Sequence, residues 1–275
     1  MLQAILLPLL AVFGGVGGYF LRRWELTAAF EPDTGLAILW TAPTVALIAL
    51  SAVLAALFFL LCRKSKYPVT TYREAFSTPG NWAHLVVGAA AAALVLVSGL
   101  WGLGEQLTGS APKVLWLLLD ILCLASFACL VLVVPSNFRG KERRYSLALL
   151  LPAYTCCVWL VTAYQQRAAD PVVLDYVYHL FAIICTLLGL YFAAGFSFGR
   201  GRVCLCAGFT LLGTYFSILT LADTHTLSER LLLLGLVLYQ MSSAAALLRN
   251  AFLTGPAPGQ EEPQADQTQE VTPDE

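Results

Sequence analysis

Charge is what this chain has least of. Only 12% of its 275 residues are Asp, Glu, Lys or Arg, where soluble domains carry about 25%. Hydrophobic residues make up 59%. A soluble protein of this length has too little interior to hide so much apolar side chain, and a bilayer removes the need. Long polar stretches are also missing, so no soluble domain is expected. No run of residues spells a nucleotide-binding loop, an HExxH-type metal site or a nucleic-acid signature. Of three histidines, only His179 falls well inside an apolar run. A bis-histidine haem needs two at matched depth, so none is expected, nor any other cofactor or metal.

Eight cysteines are present: Cys62, Cys123, Cys129, Cys156, Cys157, Cys185, Cys204 and Cys206. All lie in apolar runs or at their edges, which does not suit a disulfide framework. Cys204 and Cys206 resemble a metal pair only on paper, because helical residues two apart point about 200° away from each other. They read as small polarizable packing residues.

A helix needs about 20 mostly apolar residues to cross a bilayer. Runs of that length lie near 2–21, 36–61, 82–104, 114–134, 145–164, 174–196, 203–222 and 231–252. The expected fold class is all-α, a polytopic transmembrane bundle of eight spans over residues 1–253. The alternative is seven spans plus a re-entrant or interfacial N-terminal helix. The first run lacks a basic start and a convincing cleavage site, so it does not read as a signal peptide. Residues 254–275 carry six acids, no Lys or Arg, and Pro256, Pro258, Pro263 and Pro273. Such a segment cannot bury a core and reads as a disordered acidic tail in the cytosol.

With both termini cytosolic, 11 basic residues fall inside: Arg63, Lys64, Lys66, Arg73, Arg139, Lys141, Arg143, Arg144, Arg200, Arg202 and Arg249. Five fall outside: Arg22, Arg23, Lys113, Arg167 and Arg230. That asymmetry is the positive-inside bias. Trp24, Trp40, Trp82, Trp101 and Trp116 sit near the proposed surfaces, where amphipathic rings collect. The partner expected first is the lipid bilayer. Basic loops at 62–81, 135–144 and 197–202 suit anionic lipid or a protein contact, and nothing argues for nucleic acid.

Gly14 and Gly18 form a GxxxG face that lets a second helix approach. Gly88, Ala92, Ser98 and Gly102 repeat the theme in the third span, and Ser242–Ala246 in the eighth. Leu6-Leu7-Pro8 with Tyr19 to Arg22 is echoed by Leu150-Leu151-Pro152 with Tyr164 to Arg167. That likeness would make two four-helix halves divided at 135–144, a parallel repeat.

A few polar residues are costly in lipid. Asp120 lies about a turn and a half inside the fourth span and needs a partner, water or a proton. Arg22 or Arg23 is the expected partner for Asp120 or another acid in the outer half. The two arginines diverge by about 100°, so one should point inward and the other to water. Asp175 and His179 are four apart and would share a helix face, suiting a proton relay or simply an interfacial polar turn. Thr210, Thr214 and Ser217 form one stripe in the seventh span, facing other helices, a wet cavity or their own backbone. His225 with Glu229 and Arg230 reads as a solvated loop, and His84 as interfacial. Asp120, Asp175, His179, Thr214 and Ser217 form the candidate solute or relay site, expected to open outward between spans four, six and seven.

Three readings of function stay open: a small-solute transporter or permease, a non-enzymatic accessory, assembly or sensing protein, and an intramembrane enzyme. The enzyme reading is the least supported, lacking a convergent catalytic set. Arg22-Arg23-Trp24-Glu25, Ala169-Asp170-Pro171-Val172, Tyr191-Phe192-Ala193-Ala194-Gly195-Phe196 and Leu221-Ala222-Asp223 resemble segments of uncharacterised multi-span membrane proteins from anaerobic Gram-positive bacteria. The resemblance covers most of the chain. It implies a bacterial cytoplasmic membrane and no particular activity.

Overall fold

The computed structural model describes residues 2–31, 36–38, 40–63, 69–109, 113–140, 146–168 and 172–254. The acidic tail beyond Thr254 and the charges at Lys64, Lys66, Lys141, Arg143 and Arg144 lie outside these residues. Among the described residues, eight helices are long and apolar enough to cross a bilayer. They are α1 (Leu2–Ala28), α2 (Ala42–Cys62), α4 (Trp82–Thr108), α5 (Val114–Arg139), α6 (Ser146–Arg167), α7 (Val177–Gly195), α8 (Val203–Thr220) and α9 (Leu227–Arg249). A ninth, the short α3 (Tyr72–Phe76), joins α2 to α4. Among the described residues there is no strand, only an isolated bridge between Phe30 and Ala37. The chain is an all-α, multi-pass membrane protein, and α1 is one unbroken helix across Pro8.

Helix ends depart from the apolar runs where local chemistry overrides hydropathy. Residues 36–38, 40 and 41 are not helical: Ala37 pairs with Phe30, Trp40 takes φ 61°, and α2 starts with Pro43 in its first turn, where proline's missing N–H costs nothing. α9 begins four residues before its apolar run. There the Thr226 hydroxyl accepts from the Glu229 N–H at 3.3 Å, and the Glu229 carboxylate accepts from the Thr226 N–H at 3.0 Å. This capping box satisfies donors that a helix start otherwise leaves bare. Thr71 and Glu74 cap α3 in the same way.

Helices α4 to α9 form a closed ring in chain order, each packed on the next and α9 returning to α4. α1 and α2 lie outside this ring against α8. α8 is thereby the central element, with 72% of its span buried against 22% for α2. The neighbours do not sort into two four-helix halves, since α4 packs on α9 and α5 on α6. The GxxxG pair also divides its attention. Gly18 and Gly15 lie against Leu219 and Ile218 of α8, whereas Gly14 faces Leu54 of α2.

The two ends of the bundle differ. At the Tyr72 end, α3 folds beneath the helices: the Asn250 amide donates to the Ala75 and Ser77 carbonyls at 3.0 Å each, and Phe76 meets Phe196 edge-on at 5.6 Å. Burial, with Tyr239 alongside, lifts the Tyr72 phenol above the usual tyrosine range. The opposite end, which holds Arg22, collects most of the buried charge. Trp24, Trp40, Trp82 and Trp101 are exposed as anchors should be, while Trp159 is buried inside the ring. The eight cysteines are all free, with Cys156 buried and its neighbour Cys157 exposed.

Candidate functional site

Arg22 and Arg23 diverge around α1, and the geometry gives them opposite fates: Arg23 is exposed, and Arg22 has no exposure at all. The Arg22 guanidinium donates to Asp223 Oδ1 and Glu25 Oε2 at 2.7 Å each. It also donates to the backbone carbonyls of Leu174 at 3.1 Å and Asp175 at 2.7 Å. Its carbon lies 5.0 Å from the centre of the Tyr178 ring. Helix α1 supplies the arginine and Glu25 one turn on, the turn before α7 supplies the carbonyls, and the turn after α8 supplies Asp223. Of the acids the sequence allowed as partners, Asp120 is not the one used; Glu25 and Asp223 pair with Arg22.

Asp223 passes the network onward. Its Oδ2 accepts from the Thr220 hydroxyl at 2.8 Å. The Thr220 carbonyl lies 2.7 Å from His225 Nε2, and a carbonyl can only accept, so Nε2 carries the proton. Nδ1 of the same ring lies 3.8 Å from Glu229 Oε2 and has no hydrogen-bond partner. His225 therefore belongs to a buried cluster and not to a solvated loop. Its ring meets His179 at 4.6 Å, and His179 meets Trp159 at 5.5 Å, both edge-on.

Asp175 and His179 do not share a helical face. Asp175 ends a 3-10 turn over Val173–Asp175, and Tyr176 takes ψ near 0° before α7 begins. The break sends the Asp175 carboxylate to Arg167 at 2.7 Å, half-exposed, and leaves His179 buried with Nε2 unpartnered.

On α8, the Thr210 hydroxyl donates to its own helix at Cys206 O, 2.6 Å away. Thr214 does the same toward Thr210 O at 2.9 Å and reaches Gln240 Oε1 at 3.3 Å. Ser217 is buried with its hydroxyl unpartnered, as are Thr186 Oγ1 and Gln240 Nε2. These groups meet where α7, α8 and α9 come closest: a Cβ added at Gly213 would stand 2.9 Å from Gln240 Oε1 and 3.0 Å from the Thr186 N. Gln240, an amide amid an apolar run, is the signal that a reading of charges alone passes over. Two voids beside these groups, among the described residues, are small. One void of about 20 Å³ touches Trp159 and Tyr239, and another of about 10 Å³ touches Thr210 and Gln240.

Asp120 stands apart from both groups. α5 packs on α4 and α6, whereas Thr214 and Ser217 belong to α8. The side chain is buried, and it lies so close to α4 that a Cβ at Gly102 would overlap its carboxylate. Its Oδ2 has no hydrogen-bond partner. Asp120 lines an open pocket of about 240 Å³ at the Arg22 end, together with Glu105, Gln106, Lys113, Trp116 and Gln166. Two carboxylates against one ammonium leave the pocket net negative. Glu105 accepts from Trp101 Nε1 at 2.8 Å, and reciprocal hydroxyl-to-carbonyl bonds between Ser98 and Ser228, at 2.8 and 2.9 Å, fasten α4 to α9 beside it. Of the five expected site residues, Thr214 and Ser217 share a stripe, His179 joins the histidine cluster, Asp175 turns to Arg167, and Asp120 has a pocket of its own. No group of three His, Cys, Asp or Glu side chains among the described residues is placed to hold a metal ion.

No family model matches this chain, and neither a curated protein nor a solved structure does so.

Proposed function

We propose that the protein binds a small organic cation in the Asp120 pocket, as the recognition site of a small-solute permease. One observation carries the reading: a buried carboxylate with an unpartnered oxygen lines an open, net-negative pocket of solute size. An unpaired carboxylate within a span costs several kcal/mol. A bound ammonium would offset that cost, and Trp116 offers an aromatic wall of the kind that favours cations. The excess of Lys and Arg that the sequence carries in the loops 62–81, 135–144 and 197–202 supports a pocket on the outer face. The resemblance to multi-span proteins of anaerobic Gram-positive bacteria supports the bacterial cytoplasmic membrane as its location.

The narrow interior supports a second reading, in which the protein binds this solute without carrying it and serves as an accessory or sensing component. Voids of about 20 and 10 Å³ accommodate a water molecule at most. Binding and uptake separate the two. Purified protein should be stabilised against heat by ethanolamine or choline, and Asp120→Asn should weaken that effect about tenfold or more without lowering the ligand-free melting temperature. Equal stabilisation of wild type and Asp120→Asn would remove the pocket from consideration, and a large drop in the ligand-free melting temperature would make Asp120 structural. Proteoliposomes that accumulate the labelled amine support the permease. Binding without accumulation supports the accessory reading.

A further inference from the structure

At the Tyr72 end, far from the Asp120 pocket, α1 and α4 each pack on α9 but leave a cleft of about 520 Å³ between them, floored by α9. Its wall changes character with depth. Near the helix ends stand Thr78, Asn81, Arg249 and the apolar Ile5, and further along their helices stand Val87 and Met241. Arg249 and Met241 are eight residues apart on one helix, about 12 Å at 1.5 Å per residue. That is close to the depth of one leaflet, half of a hydrocarbon core about 30 Å thick.

Two polar side chains of the wall are buried by more than nine-tenths and incompletely bonded. His84 holds Ser242 Oγ at 2.5 Å through Nδ1, yet its Nε2 has no partner. Thr78 Oγ1 has none either. Arg249 is exposed, with no ion pair among the described residues. Below them the floor is small, with Ser242, Ala245 and Ala246 on one face of α9. The cleft thus presents a cation at headgroup level, with the unpartnered His84 Nε2 and Thr78 Oγ1 buried in its wall, above an apolar slot about one leaflet deep.

The geometry points to a binding site for one anionic glycerophospholipid, its phosphate at Arg249 with His84 and Thr78 beneath and a chain lying on Ala245 and Met241. This site is independent of the cation pocket, and the assay is repeated in Asp120→Asn so that the choline headgroup of phosphatidylcholine held at that pocket is not counted here. Full-length protein in neutral detergent is mixed with short-chain phosphatidylglycerol, phosphatidylcholine or inorganic phosphate, and bound molecules are counted by native mass spectrometry. The expected result is retention of phosphatidylglycerol about fivefold over phosphatidylcholine, the increment one arginine contributes near a membrane surface, with phosphate alone not retained. Arg249→Gln should abolish the preference while leaving chain binding. Ala245→Trp, at an exposed position, should expel both lipids. Retention that ignores both substitutions would overturn the assignment, as would equal retention of the two lipids by wild type. So would binding gained only when Glu261, Glu262, Asp266, Glu270, Asp274 and Glu275 are changed to amides in the full chain, because the acidic tail would then be the occupant.

Discussion

Arg22 shows how a buried charge is made tolerable: two carboxylates, two carbonyls and an aromatic face surround one guanidinium. Removing one member of such a set leaves the others uncompensated, which costs more than the set is worth intact. Arg22→Ala should therefore destabilise by about 3–5 kcal/mol, read as thermal unfolding in detergent, and Arg23→Ala by no more than about 0.5 kcal/mol. Arg22→Lys should fall between, because an ammonium keeps the charge without the planar fork. Equal effects of the two alanine variants would mean that the buried network carries no stability. The Glu25 contact was legible in the sequence, since residues three apart share a helix face. Asp223 was not, because nothing local records a bond spanning 201 positions. The Asp175 and His179 relation failed for a local reason, the non-helical Tyr176 between them.

Among the elements, α8 is the one whose surroundings are least forgiving. Gly213 faces Gln240 and the backbone of α7 inside ordinary contact distance, so Gly213→Val should cost about 1–3 kcal/mol through overpacking. Gly17 of α1 has open space where a side chain would go, and Gly17→Ala should be neutral or gain up to about 1 kcal/mol from helix propensity. Thermal melts of the two variants check the contrast. A harmless Gly213→Val would mean that the helices separate freely at that crossing. Element existence was legible because bilayer thickness fixes the length of an apolar run. Element ends were less so, although Thr226-Leu-Ser-Glu229 and Thr71-Tyr-Arg-Glu74 spell their caps openly. Hydropathy looks past both, since a cap is polar and a span is not.

At the scale of the molecule, eight helices with the basic loops at one end make a definite topological expectation. A single cysteine at Gly140, in an otherwise cysteine-free chain, should react with an impermeant thiol reagent only after the membrane is opened. Reaction in intact cells would invert the orientation and put the Asp120 pocket in the cytosol. The ring of six helices with two outside it was not legible, because hydropathy counts spans without saying which of them touch. That arrangement also bears on how the protein is made. α1 leaves the ribosome before α8, Asp223 lies 201 residues beyond Arg22, and chains grow at about 5–20 residues per second. Arg22 must wait roughly 10 to 40 seconds for its distant partner at that pace, while Glu25 lies one turn away on its own helix. A nascent chain stalled before α8 would therefore present an α1 whose arginine has its Glu25 partner but not its second carboxylate.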